Sequence, residues 1–401
     1  MPRGNIIAGL DIGTGTIKIL AAATKKNQEK LEVVSQIEET SSGIRRGVVV
    51  DVEEVSNILK TVFAQLKEEA GQKIDSVYVN VGGSHLFSAP SHGIISVSRA
   101  DQKISEEDVN RVLQAAQTFS LPSNKEIFDA FPKEFIVDGQ KGIKDVLGLQ
   151  GVRLEVEILA LGGFVPYLKN LEKVILDSDL QILDMVPSPI AAARAVLSSQ
   201  QKELGVAILD IGTGTSDLAV FEEGDLIHLA ILPIGSGNIT NDIAIGLKID
   251  IDIAERIKIE YGSCLFKGPN KREKIEIGEE EPLIFSQKQL TEIIEARVSE
   301  IFGEVNKELK KISREKLLPA GIVLTGGGAK LPKMVELAKK ELKLPAKLGK
   351  PQGIPELDDP NLSTVCGLVL GGADLEEEKI GPPLGKGIGN KIKRIFKIFI
   401  P

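Results

Sequence analysis

The stretch "LDIGTGT" stands at Leu10–Thr16 inside "AGLDIGTGTIKILAAA", and the same letters return at Leu209–Thr215 inside "VAILDIGTGTSDLAVFEEG". In each copy an apolar, β-branched run leads into a glycine turn and another follows it, the pattern of a β-hairpin. Such a turn brings backbone N–H groups close to an anion with no Cβ in the way, and the flanking threonine hydroxyls add donors. Asp11 and Asp210 end buried strands, where an unpaired carboxylate is costly. A Mg2+ ion, held directly or through water, would compensate them and suits a phosphate ligand. Two facing copies would then grip a polyphosphate from both sides. Taken singly, either copy is equally an ordinary hairpin whose glycines only serve the turn. Their verbatim recurrence, with an aspartate at the same place, favours binding. No lysine follows the second glycine directly, so neither copy is a Walker loop. No helix follows the turn, so the dinucleotide fingerprint fails as well.

Working outward, the chain reads as a duplication: a hairpin, a further strand and helices, then the same again. After the first hairpin, "EEVSNILKTVFAQLKEEAG" places Val55, Ile58, Leu59, Val62, Phe63 and Leu66 on one helix face ended by Gly71. "IDSVYVNVGG" is a buried strand. The segment 84–162 breaks the pattern and reads as a compact insertion. It holds a strand "HGIISVSR", a helix opened by the capping-box sequence "SEED", and strands in "KEFIVDG" and "RLEVEILALGG". The expected organisation is a first lobe over 1–83, the insertion over 84–162, and the first lobe again over 163–203. A second-lobe core over 204–246 and 319–362 encloses a helical subdomain at 247–318, and 363–373 return to the first lobe. Residues 374–387, "DLEEEKIGPPLGKG", read as a flexible charged linker. In the second lobe, "VLTGGGAKLP" at Val323–Pro332 is a strand ending in three glycines followed by a helix, where a flat base and ribose can lie against bare backbone.

At 401 residues the chain exceeds the usual size of a single core, so two lobes are the default. Its 42 % hydrophobic and 26 % charged residues are those of an ordinary globular protein, and its net charge of −8 argues against nucleic acid as a partner. Cys264 and Cys366 are too few and too far apart for a disulfide framework or a metal knuckle, and read as reduced thiols. His85, His92 and His228 read as surface or packing residues. No secretory signal and no membrane-spanning run is expected.

Two phosphate-type hairpins combined with "TGGGA" resemble the actin, sugar-kinase and heat-shock-chaperone ATPase superfamily. Within it the chain resembles the FtsA family of actin-like bacterial cell-division proteins, through "SGIRRGVVVDVE", "VYVNVGGSH", "PKEFIVDGQKGIKDVLGLQGVRLEVE", "LPIGSGNITNDIA" and "AERIKIEYG". The resemblance implies an α/β, actin-like ATPase fold: two duplicated ribonuclease-H-like lobes, an inserted α+β subdomain and a C-terminal amphipathic helix. It implies that Asp11, Gly13, Thr14, Gly15, Thr16 and Lys18 bind phosphate from the first lobe, and Asp210, Gly212, Thr213, Gly214 and Thr215 from the second. Gly237 would lie near the nucleotide, Glu255 and Lys258 would contact ribose or adenine, and Gly326, Gly327 and Gly328 would bed the adenosine. Without the family, Glu255 and Lys258 read as an exposed ion pair of little worth. ATP and Mg2+ are the implied cofactors, the magnesium at Asp11 and Asp210 through water. No catalytic residue is assigned, and any ATPase activity is expected to be slow.

The tail "GIGNKIKRIFKIFIP" carries a second message. On a helix, Ile388, Ile392, Ile395, Phe396 and Phe399 share one stripe, with Lys391, Lys393, Arg394 and Lys397 on the opposite arc and Ile398 off the stripe. From Lys386 onward there are cations and no acid. A core helix is the common fate of such a stripe. Its place at the chain end after a linker, with only positive charge, fits an interfacial membrane helix over 388–401 instead. The implied partners are anionic lipids, the C-terminal peptide of the tubulin-like FtsZ, further copies of the chain and other division proteins, at the cytoplasmic face of the membrane at the septum. The helical subdomain is the surface expected to meet FtsZ, with Arg297, Lys307 and Lys310 as cations for an acidic peptide. Two alternatives share the fold: a PilM-like component of type IV pilus assembly, and a small-molecule kinase, for which no sugar-facing base is found.

Overall fold

A computed structural model describes residues 6–24, 31–118, 120–266, 272–275 and 283–380. The expected tail helix and the later part of the expected linker lie outside the described residues.

The first lobe begins with β1 (Ile6–Ile12), β2 (Thr16–Thr24) and β3 (Leu31–Thr40), then the short hairpin β4 (Ile44–Arg45) and β5 (Val48–Val49), helix α1 (Val52–Ala70) and β6 (Ser76–Val81). α1 starts where the Asp51 carboxylate accepts the Glu54 N–H and stops at Gly71, whose φ of 66° ends the helix in the left-handed region. Of the six apolar residues its spacing places on one face, Val55, Leu59, Val62, Phe63 and Leu66 are buried and Ile58 is half-buried at the edge of the same core.

The insertion follows: β7 (Phe87–Ser96), α2 (Glu106–Gln117), β8 (Lys125–Val137), β9 (Gln140–Ile143) and β10 (Arg153–Phe164). Its sheet runs β7-β10-β8-β9, antiparallel throughout, and covers a core of its own that includes Val109, Val112, Leu113, Phe135, Leu154 and Val156. The capping box is present, with Ser105 and Asp108 bonded reciprocally. The chain returns to the first lobe through α3 (Val165–Leu176), β11 (Gln181–Pro187), α4 (Ser188–Val196) and α5 (Ser199–Leu204).

The second lobe contains β12 (Val206–Ile211), β13 (Ser216–Glu222), β14 (Asp225–Leu232), α6 (Ser236–Leu247), α7 (Ile251–Tyr261), β15 (Arg272–Ile275), β16 (Leu283–Ser286), α8 (Gln287–Lys311), β17 (Ile322–Thr325), α9 (Met334–Leu342) and β18 (Ala346–Leu348). Helix α10 (Ser363–Ile380) closes the described chain.

The duplication holds at the level of topology. The first sheet runs β3-β2-β1-β6-β11 and the second β14-β13-β12-β17-β18. In each, three antiparallel strands continue into two parallel ones, and the repeated turn joins the central pair. Strands β1 and β12 are buried on both faces and so read as continuous apolar runs rather than alternating ones.

Helix α10 corrects one expectation. Residues 374–380 are helical, not linker. Asp374 pairs with Arg194 of α4, and Leu375 packs against the first-lobe core. These contacts hold a stretch whose sequence alone shows no apolar period. Helices α4 and α10 lie against each other where the lobes join, and a Cβ on Gly367 would run into the Ala191 backbone.

Candidate functional site

The two repeated turns face each other across a cleft between the lobes. Strand register sets what each presents: β1 and β2 pair Asp11 with Lys18, while β12 and β13 pair Asp210 with Asp217. Thr14 lies against Gly214 and Thr213 against Gly15. A Cβ on Gly214 would fall 2.6 Å from Thr14 Oγ1, and one on Gly15 would overlap Thr213. The same Thr14 hydroxyl accepts the Gly47 N–H at 2.8 Å.

The cleft encloses about 700 Å³, open mouth included. Asp11, Gly13, Thr14, Gly15, Thr16, Lys18, Asp210, Gly212, Thr213, Gly214, Thr215, Gly326, Gly327 and Gly328 all line it. Residues from both halves of the chain therefore converge as the repeat predicts. Gly237, Glu255 and Lys258 stand one layer behind. The Gly237 N–H donates to Thr213 O at 2.8 Å and the Ser236 N–H to Gly212 O at 2.8 Å, so the start of α6 holds the second turn from beneath. Lys258, 6 % exposed, donates to Glu255 Oε2 (2.6 Å), Thr240 Oγ1 (2.8 Å) and Ser236 O (3.3 Å). It is a buried clamp on α6 and not an exposed ion pair. "TGGGA" leads from β17 into a short 3-10 turn, Gly327–Lys330, before α9 begins.

Acids dominate the electrostatics of the cleft. Asp11 sits 3.6 Å from Lys18 and accepts from Asn80 Nδ2 at 2.8 Å. Burial raises its pKa, with Lys18 pulling the other way. Asp210 accepts from Thr364 Oγ1 at 2.9 Å, and burial pushes it up to about 6. Asp217, buried and beside Asp210, is pushed up to about 8 first by burial and then by that neighbouring charge. Its Oδ1 is buried without a hydrogen-bond partner. Three desolvated carboxylates against one lysine make a site short of positive charge.

Several lining residues escape a reading of the turns alone. Asn80 is the clearest: its Oδ1 accepts the Ile12 N–H at 2.7 Å while its Nδ2 reaches Asp11 and Ser188 Oγ (3.1 Å). It comes from a parallel neighbour strand far along the chain, so no local signal marks it. Asp217 could have been found. It holds in the second hairpin the offset that Lys18 holds in the first. Asn361 enters from the segment leading into α10, and Thr364 from the first turn of that helix.

Elsewhere, His85 accepts the Phe164 N–H, His92 meets Glu155 and His228 meets Glu308. Both cysteines are buried and free. The expected FtsZ-facing cations are already engaged: Arg297 with Asp242 (2.5 Å) and Glu300, Lys307 with Glu304, and Lys310 with Glu315. Among the described residues no helix is long and apolar enough to cross a membrane.

Comparison with known proteins bears on this architecture. The model of the family "Cell division protein FtsA" matches residues 207–367, and that of the "SHS2 domain inserted in FTSA" matches 83–161. The cell division protein FtsA of Pseudomonas aeruginosa is 36% identical over 382 residues, 94% of this chain and 91% of that one. The FtsA of Bacillus subtilis is 35% identical over 95% of this chain and 87% of its own. Among solved structures, the PilM–PilN type IV pilus biogenesis complex superposes with a TM-score of 0.65 at 16% identity, covering 91% of this chain and 97% of that one. MreB5 of Spiroplasma citri bound to ADP superposes with 0.57 at 14%, covering 94% and 99%. At those identities the structures establish the actin-like fold alone, whereas the curated relatives establish the family. The chain belongs to the FtsA family and is an actin-like cell-division protein.

Proposed function

We propose that the inter-lobe cleft binds ATP with Mg2+, and that the chain self-associates on the cytoplasmic membrane and tethers FtsZ there at the septum. The observation that carries the nucleotide reading is the reciprocal seating of Thr14 on Gly214 and Thr213 on Gly15, which sets two donor-rich turns on either side of one acidic cleft. The fold neighbour MreB5 holds ADP by its own description.

The roles follow from the contacts. Backbone N–H groups of both turns and the threonine hydroxyls donate to phosphate, Lys18 adds charge, and Gly326–Gly328 leave room for a flat base and ribose. The orphaned Oδ1 of Asp217, with Asp11 and Asp210 beside it, fits a divalent cation. Among the described residues no three acids, histidines or cysteines converge closely enough to ligate an ion directly, so these carboxylates would hold magnesium through water. Bound there, the ion would neutralise phosphate charge. The contacts assign no base or water-orienting group, and the main role is nucleotide-dependent assembly rather than turnover.

Membrane attachment is assigned to Ile388–Phe399. With Lys386 just before it the tail carries five cations, which at about 1 kcal/mol each beside an anionic leaflet give about 5 kcal/mol, offset by the cost of ordering a short helix. A single tail therefore holds weakly, and lasting residence comes from many tails in one assembly. The curated relatives named for cell division support this reading over the pilus alternative.

The test is co-sedimentation of the full chain with anionic vesicles and FtsZ, with and without Mg-ATP, beside a chain ending at Gly385 and Asp210→Ala. The truncated chain is expected to stay in solution and the substituted one to lose nucleotide binding. Micromolar binding of Mg-ATP by Asp210→Ala would overturn the site assignment.

A further inference from the structure

The insertion is rooted in one lobe and seated on the other. Its entry runs straight out of the cleft: Gly82 and Gly83 line it, and Gly47, bonded to Thr14, lies so close that a Cβ there would stand 2.7 Å from Gly83 N. Its exit is clipped to its entry where the Phe164 N–H donates to His85 Nδ1 at 3.2 Å. The far side rests on β14, the edge strand of the second lobe's sheet. Ser88 Oγ donates to Leu229 O at 2.9 Å, and Lys144 pairs with Asp225 while also donating to Lys133 O. Phe131, Leu159 and Leu161 of the insertion share one buried apolar cluster with Leu226, Leu229 and Ile231 of β14. Strand β14 in turn pairs with β13, Ile231 opposite Asp217 and Leu229 opposite Ala219.

We propose that the inserted subdomain is the output arm of the cleft, with its seat on β14 held while the two turns are engaged and released as they part. The placement of its two attachments supports a coupling of this kind. Root and seat belong to different lobes, which also meet through α4, α5 and α10 and at the two turns. A rotation that separates Thr14 from Gly214 carries the root with the first lobe and β14 with the second, so both ends of the insertion cannot keep their contacts. Packed interfaces of this sort switch between discrete arrangements rather than stretch. By linkage, a partner that holds the insertion on β14 tightens nucleotide binding by the same factor by which nucleotide tightens the seat. The proposal rests on the nucleotide reading of the cleft.

Hydrogen exchange on the full chain, with and without Mg2+ and a non-hydrolysable ATP analogue, tests it. Amides in Phe87–Ser96 and Lys125–Val137 are expected to exchange about threefold or more slowly with nucleotide, together with protection at 10–16 and 326–328. In Lys144→Ala combined with Ser88→Ala, the insertion strands should exchange faster without nucleotide. They should lose at least about half of their response to it, while the cleft stays protected. Protection at the cleft with unchanged insertion strands overturns this inference alone. No protection at the cleft overturns the nucleotide reading, and this inference falls with it.

Discussion

Thr14 and Thr213 are exchanged partners: each fills the space that a side chain on the other's neighbouring glycine, Gly15 or Gly214, would need. The repeat is thus a mutual fit as well as a sequence pattern. On a Gly214→Ala background the new Cβ meets Thr14 at Oγ1, Cγ2 and Cβ, all within 2.9 Å, so rotating one hydroxyl does not relieve the clash and the turns must move apart. Nucleotide affinity, read by titration with a fluorescent ATP analogue, is expected to fall about tenfold or more, because turns displaced by an ångström no longer present their N–H groups together. Adding Thr14→Gly should recover part of that loss. A Gly214→Ala protein that binds as tightly as its parent would show that the contact is incidental.

Asp217 makes the cleft sensitive to pH. In the native state its carboxyl keeps a proton up to about 8, whereas in the unfolded chain it ionises near the ordinary 3.8. Between those values the native state holds the extra proton, so this group's contribution to stability falls as pH rises through the window. Asp217→Asn removes the titration. Its melting temperature should match the parent's below about pH 3.8 and exceed it by a margin that grows up to about pH 8 and then levels off. Divalent-cation binding needs the ionised carboxylate, so Mg2+ should bind the parent more tightly as pH rises and release protons on binding, seen as a heat that depends on the buffer's ionisation enthalpy. Asp210, pushed up to about 6, adds a smaller effect at lower pH.

Lys258 separates a buried clamp from a surface ion pair. Its ammonium sits among Ser236 O, Thr240 Oγ1 and Glu255, and Ser236 opens α6 directly under the second turn. An exposed pair would contribute less than about 1 kcal/mol. Lys258→Ala instead removes a buried, charge-assisted donor that ties Ser236 O, Thr240 and Glu255 together, at a cost of about 1–3 kcal/mol in urea unfolding. Nucleotide affinity should fall with it, since the Thr213 carbonyl is held by the first turn of α6. A loss of only a few tenths, with affinity unchanged, would return the residue to the surface class.

The legible parts of this fold are those in which local sequence decides. The two hairpins, the α1 stripe and the Ser105–Asp108 capping box follow from spacing within a single element. What is hidden depends on residues brought together from far apart. Asn80 binds Asp11 across 69 positions, and only the parallel pairing of β6 with β1 brings them together. Asp217 is hidden differently, since the second repeat keeps the turn and changes the partner across the strand from lysine to aspartate. Residues 374–380 mislead because charge and missing periodicity resemble a linker, whereas the partners of Asp374 and Leu375 lie on α4 and in the first-lobe core. Of the acids that engage Arg297, Lys307 and Lys310, only Asp242, contributed by α6, is hidden in this way; Glu300, Glu304 and Glu315 lie three to five residues from their partners.

The junction of α4 and α10 gives the last prediction. Gly367 lets the two helices close until the Ala191 backbone occupies the place of a side chain, so any Cβ there forces backbone from backbone. Such overpacking costs about 1–3 kcal/mol, and here the strain has nowhere to relax except by shifting α10 on α4. Helix α10 also begins beside the cleft, where Thr364 donates to Asp210 and Ser363 meets Thr325 Oγ1 at 2.6 Å. Gly367→Ala should therefore lower stability to urea by that amount. It should also weaken nucleotide binding although it lies outside the cleft, because the helix start that orients Asp210 moves with the rest of the helix. Gly371→Ala, whose Cβ would meet only the Arg194 side chain at 3.7 Å or more, serves as the control: it should hold or raise stability by up to about 1 kcal/mol and leave nucleotide binding near the parental value. Helix propensity favours alanine at both positions, so equal losses from the two substitutions would mean that the close crossing does not set the cost.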